Sequence, residues 1–116
     1  MTNSIAKGKA GEREAAAALT AELGISARRG VQYQGGTDSP DVQHSLPGVH
    51  IEVKRTERFS IYDAVEQATE DGGGKVPVVM HRRNRGDWLI VVPLARLKEL
   101  AVRIVNHINQ QDNTPQ

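Results

Sequence analysis

The chain has 116 residues, no cysteine and a formal net charge of +1. That excludes disulfides and thiolate metal sites and fits one domain with a modest core. Charged residues make up 25% of the chain and aromatics only 3%, so platforms that stack single-stranded bases are not expected. No apolar run approaches the roughly 18 residues a membrane span needs, and the N-terminus lacks the apolar core of a signal peptide. The chain is therefore expected to stay in the cytoplasm.

Residues 6–23 are rich in Ala, Glu and Lys and read as a helix, stopped at Gly24. Residues 28–34 alternate Val31 and Tyr33 with polar neighbours and read as a strand. The cluster GGTDSP turns the chain, a second strand starts at Asp41, and Leu46-Pro47-Gly48 turns it again. Over Val49–Arg55, period two puts Val49, Ile51 and Val53 on one face and His50, Glu52 and Lys54 on the other. Ser60 is placed to cap a helix in which Ile61, Val65 and Ala68 recur at helical spacing, with Asp63 completing a capping box. Gly72, Gly73 and Gly74 end it. Residues 76–81 (VPVVMH) and 88–92 (WLIVV) read as buried strands around a turn at Asn84–Asp87. A last helix opens at Pro93 or Leu94, with Leu97, Leu100, Ala101, Ile104 and Ile108 on one face, as core or as a dimer surface. The order α-β-β-β-α-β-β-α predicts an α/β domain with a mixed sheet flanked by helices, spanning residues 1–108, and a polar, disordered tail over 109–116.

The candidate chemistry centres on Asp41, Glu52 and Lys54. Each has an ordinary explanation: Asp41 as turn chemistry, Glu52 and Lys54 as a solvated strand face. Together they place two carboxylates on neighbouring strands joined by a short turn. Converging carboxylates repel unless a cation neutralises them, and hard oxygen ligands favour Mg2+, with Mn2+ able to substitute. A water activated there, with Lys54 stabilising developing charge, suits phosphodiester hydrolysis. Three basic clusters, Arg28 with Arg29, Lys54 with Arg55 and Arg58, and Arg82 with Arg83 and Arg85, suit a phosphate backbone or are simply solvated.

Ser39-Pro40-Asp41 followed by Glu52-Val53-Lys54 resembles the PD-(D/E)xK nuclease signature. Lys7-Gly8 with Gly11-Glu12-Arg13 is similar to the start of archaeal-type Holliday-junction resolvases. The run from Arg29 and Gly30 through Asp41, HIEVKR, Glu66-Gln67-Ala68 and Pro77 to Trp88 resembles the small resolvase-like nucleases common in phages, over about residues 7–93 in all. The resemblance implies a restriction-endonuclease-like fold and a Mg2+-dependent homodimer that resolves four-way DNA junctions by paired nicks. It implies metal ligation by Glu12, Asp41, Glu52 and the Val53 carbonyl, with Lys54 catalytic and Gln67 approaching the site. Archaeal-type enzymes carry a serine in the loop before the aspartate. Here Thr37 and Ser39 compete for that place, and the role of Asp38 stays open.

Backbone contacts are expected from Arg28, Arg29, Arg55, Arg58, Arg82, Arg83 and Arg85, with Thr37 and Ser39 also at the DNA. Glu14 is read as solvated. His50 is either a partly exposed strand residue or a neighbour of the metal. A nuclease for flaps, nicks or duplex ends, and a non-catalytic DNA-binding protein of the same fold, remain alternatives.

Overall fold

The computed structural model describes residues 4–30 and 41–112. Within them the order is α1 (Ser4–Leu23), β1 (Ala27–Arg29), β2 (Val42–His44), β3 (Val49–Arg55), α2 (Ile61–Gly72), β4 (Val76–Arg82), β5 (Leu89–Val91) and α3 (Leu94–Asp112). The protein is mixed α/β: helices flank a three-stranded sheet of order β3-β4-β5, parallel between β3 and β4 and antiparallel between β4 and β5. The strands β1 and β2 form a separate antiparallel ribbon and do not join that sheet.

The sequence explains these positions. In β4, Val76, Val78 and Met80 face the larger core with Val49 and Ile51 of β3, Ala15, Ala16 and Leu19 of α1, and Leu100 of α3. Val79 turns the other way, onto Ala64 and Ala68 of α2. A strand covered on both faces can be apolar throughout, which is why VPVVMH does not alternate. Pro77 is tolerated for a local reason. The Val76 N–H donates toward β3, to the Gly48 carbonyl. Pro77 therefore turns its nitrogen to the opposite edge, where β5 pairs only from Val79 onward.

Alanines and a glycine let α1 lie close to the sheet. A Cβ added at Gly11 would stand 2.7 Å from the Arg55 Cβ, a contact that the stem of a β3 side chain cannot relieve by rotating. Gly11→Ala should therefore lower stability by about 1–3 kcal/mol, the usual cost of overpacking. Urea denaturation of both proteins measures this, and an unchanged midpoint would mean that α1 is not held where it is described.

The turn between β2 and β3 is held by His44. Its Nδ1 accepts the Leu46 N–H at 3.1 Å, so its Nε2–H is left to donate to the Val49 carbonyl at 3.0 Å. Gly48 follows at φ 76°, the left-handed region where glycine is favoured.

Several expectations need correction. WLIVV is not a buried strand: among the described residues β5 is the sheet's edge, and Leu89 and Ile90 are 59% and 46% exposed. On the last helix Leu100 is buried, but Leu97 and Ile108 keep 46% and 39% of their surface exposed, because only part of its apolar stripe meets the sheet. The tail expected from residue 109 does not begin there. Residues 109–112 continue α3, where nothing breaks the helix and the Gln111 amide donates to the Gly24 carbonyl. The Ser60 hydroxyl does not cap the backbone of α2; it donates to the Asp63 carboxylate at 2.8 Å. Among the described residues no helix is long and apolar enough to cross a membrane.

Candidate functional site

Only one edge of β3 is occupied by the ladder to β4. The Val53 N–H leaves from the other edge, and the Asp41 carboxylate, at the entry to β2, accepts it at 2.8 Å. The carbonyl of an extended residue leaves from the same edge as its N–H, so the Val53 C=O also points away from β4. Asp41 thereby sits against Glu52, close enough for a hydrogen bond between the two carboxyl groups. Glu12, brought in by the close approach of α1, is near enough to both to feel their charge. Asp71, in the last turn of α2, also reaches Glu52. Four acids from three helix or strand neighbours of β3 and from β3 itself thus gather round one strand.

Their electrostatics follow from crowding and burial. Burial, opposed by the Val53 hydrogen bond and reinforced by the charges of Glu52 and Glu12, pushes the Asp41 carboxyl up to about 7. Glu12 and Asp71 are raised, chiefly by desolvation, with Glu52 contributing to each. Arg29, on β1, opposes the shift at Glu12. Glu52 goes the other way. Desolvation raises it, but hydrogen bonds from His50 and Asp41 outweigh that and keep it below the usual range. Glu52 is thus favoured as the anion of the pair, and Asp41 is the partner that holds a proton as pH falls below about 7.

The sign of the resulting linkage is fixed. Asp41 binds its proton more tightly folded than unfolded, so its contribution to stability is present below its unfolded value near 3.8 and is lost as pH rises through about 7. Melting in EDTA from pH 5 to 8 should show this loss, and Asp41→Asn should flatten it. Parallel curves for the two proteins would contradict the crowding described here.

Other expected site residues fall as follows. The Lys54 ammonium donates to Gln67 Oε1 at 3.0 Å, so these two do come together. They line a cavity of about 210 Å³ with Arg58, Phe59 and Ser60. Arg28 donates to Gln43 on the neighbouring strand. Arg83 and Arg85 are exposed in the turn after β4, with Arg85 at φ 63°. Arg55 and Arg82 are engaged internally: both pair with Glu14, and Arg82 also donates to the Gly86 carbonyl at 2.6 Å. Glu14 is therefore not a solvated acid; it ties α1 to the ends of β3 and β4. Thr37, Asp38 and Ser39 lie outside the described residues.

One residue of the cluster, Asp71, was not picked out from the sequence, and one of the two readings of His50 needs correction. Asp71 lies one helical turn after Gln67, beside the buried series Ala64, Ala68, Gly72, so helical spacing puts it next to the buried face at the end of α2. His50 is not a partly exposed strand residue. It is buried, with Nε2 2.8 Å from Glu52 Oε1, and its place on the Glu52 face followed from period two.

Among the described residues no three His, Asp or Glu side chains form a ready-made metal centre. The donor set nevertheless fits a hard divalent cation. It offers carboxylates and a strand carbonyl, and Glu12 Oε2 is buried without a hydrogen-bond partner among the described residues, an atom that ordinarily finds one.

No protein-family model, curated protein or solved structure matches this chain.

Proposed function

We propose that this protein is a divalent-metal-dependent endodeoxyribonuclease that cuts branched DNA, with the four-way junction as its substrate. The observation that carries the reading is the gathering of Glu12, Asp41 and Glu52 about β3 on the side away from β4, with Lys54 of the same strand held by Gln67 of α2.

Glu12, Asp41, Glu52 and the Val53 carbonyl would hold the cation, Mg2+ or Mn2+. When bound, it supplies neutralisation of the phosphate charge and a lowered pKa for water at neutral pH. The protein's own groups do the rest. Asp41 would have to give up its proton to serve as a ligand. Lys54 faces the phosphoryl oxygens, where negative charge grows as the water oxygen bonds to phosphorus and the bond to the leaving sugar oxygen breaks. Gln67 restrains the long lysine stem, so less of its freedom is lost at the transition state.

Binding draws on the phosphate backbone. Arg28, Arg29, Arg58, Arg83 and Arg85 supply charge without a fixed sequence readout. A cavity of about 640 Å³ beside the site is lined by Arg28, His44, His50 and Lys75 and by no acid among the described residues. Such a wall accepts phosphate, and affinity should fall steeply with salt. The exposed apolar residues Leu89, Ile90, Leu94 and Val105 support self-association, and an isologous dimer matches the symmetry of a four-way junction.

A panel tests the substrate: a labelled four-way junction, a flap and a linear duplex of shared sequence, each with Mg2+ and with EDTA. Paired nicks near the branch point, absent in EDTA, are the expected result. Equal cutting of all three keeps the nuclease and removes the junction preference. Salt-sensitive binding with no cutting in Mg2+ or Mn2+ would make the protein a DNA-binding module.

A further inference from the structure

Glu52 poses a problem that its neighbours have to solve. It is 4% exposed, and a buried carboxylate is costly unless it is hydrogen-bonded. The group that meets it is His50, itself 3% exposed, whose Nε2 stands 2.8 Å from Glu52 Oε1. His50 cannot easily turn away. Gly72, at the end of α2, packs against it so closely that a Cβ at that position would stand 3.1 Å from the His50 Cβ. Its ring is thus enclosed between the helix end and the acid, two positions along the same strand face.

We propose that His50 is a positioning residue that fixes the Glu52 carboxylate for metal ligation, an inference that rests on the metal-dependent reading above. By holding Oε1 from within the fold, His50 sets the plane of the carboxylate. Glu52 then presents one geometry to an incoming cation. Groups that orient a metal ligand from behind typically contribute 10- to 100-fold in affinity or activity. A pair that served stability alone would leave metal affinity untouched.

The test compares wild type with His50→Phe, which keeps a ring and removes the donor, and with His50→Gln, whose amide can still donate. Melting in EDTA establishes that each is folded. The concentration of Mn2+ giving half of the thermal stabilisation, and the rate of junction nicking at saturating Mn2+, are then measured. The expected result is a rise of roughly 10- to 100-fold in half-saturating Mn2+ for His50→Phe, with His50→Gln recovering most of the loss. If His50→Phe does not fold, His50→Asn replaces it: its amide is too short to reach and should show the same weakening. Wild-type Mn2+ affinity in a folded variant without the donor overturns the positioning role while leaving the nuclease reading intact. A wild-type protein that neither gains stability from Mn2+ nor cuts overturns the proposed function, and this role with it.

Discussion

Glu52→Gln should reduce junction cleavage by at least about 10³-fold, since losing a ligand forfeits several kcal/mol of charge stabilisation at roughly 1.4 kcal/mol per tenfold. The substitution is isosteric, and the amide oxygen can still accept from His50 Nε2, now 2.8 Å away. The fold should therefore survive, and so should binding to the junction in EDTA, because removing an anion does not weaken contact with phosphates. Single-turnover cleavage beside a gel-shift titration separates the two effects. A variant that cuts at the wild-type rate would remove Glu52 from the chemistry. One that loses fold and binding together would make the His50–Glu52 pair a structural element.

Lys54→Met has the second largest expected effect. Methionine keeps most of the aliphatic stem and deletes the ammonium that Gln67 Oε1 holds at 3.0 Å. If that charge meets the phosphoryl oxygens mainly in the transition state, kcat falls by about 10²–10³-fold, while half-saturating Mg2+ and junction affinity stay close to wild type. Gln67→Ala should show a smaller loss in the same parameter, because the ammonium remains but is less restrained. A Lys54→Met variant with normal kcat and weakened junction binding would recast Lys54 as one more backbone contact.

Much of this architecture could be read from the residues. The strand Val49–Arg55 and the helix from Ile61 lie where expected, because alternation in the one and the helical spacing of Ile61, Val65 and Ala68 in the other follow from strand and helix geometry, although the buried face of the helix runs through Ala64, Ala68 and Gly72 rather than through Ile61. What pairs with what was less accessible. Nothing local in the sequence distinguishes a ribbon of β1 and β2 from strands of the main sheet, since that choice rests on contacts between distant segments. The exposure of Leu89 and Ile90 was missed for the same reason: an apolar run looks alike whether a neighbour covers it or it lies at an edge.

The site divides similarly. Asp41, Glu52 and Lys54 stood out from residue type and strand parity. Glu12, Val53 and Gln67 entered through the resemblance to PD-(D/E)xK nucleases, and the structure brings Glu12 beside the acids and Gln67 onto Lys54. Glu14 was misjudged because its partners, Arg55 and Arg82, lie far along the chain. One helical turn separates Gln67 from Asp71, so Asp71 was legible, but only once α2 was known to lay its C-terminal end against Glu52.

The most direct test of a cation held by these acids is a calorimetric titration of Mn2+ into the protein at pH 6.5 and pH 8, each in two buffers of different ionisation heat. A ligand must be deprotonated to bind, and Asp41, pushed up to about 7, holds its proton at the lower pH. Saturable binding that releases on the order of one proton at pH 6.5 and much less at pH 8 is expected, with the binding lost in Glu52→Gln. Folded wild-type protein that gives no saturable heat, or that binds Mn2+ equally well without Glu52, would contradict it.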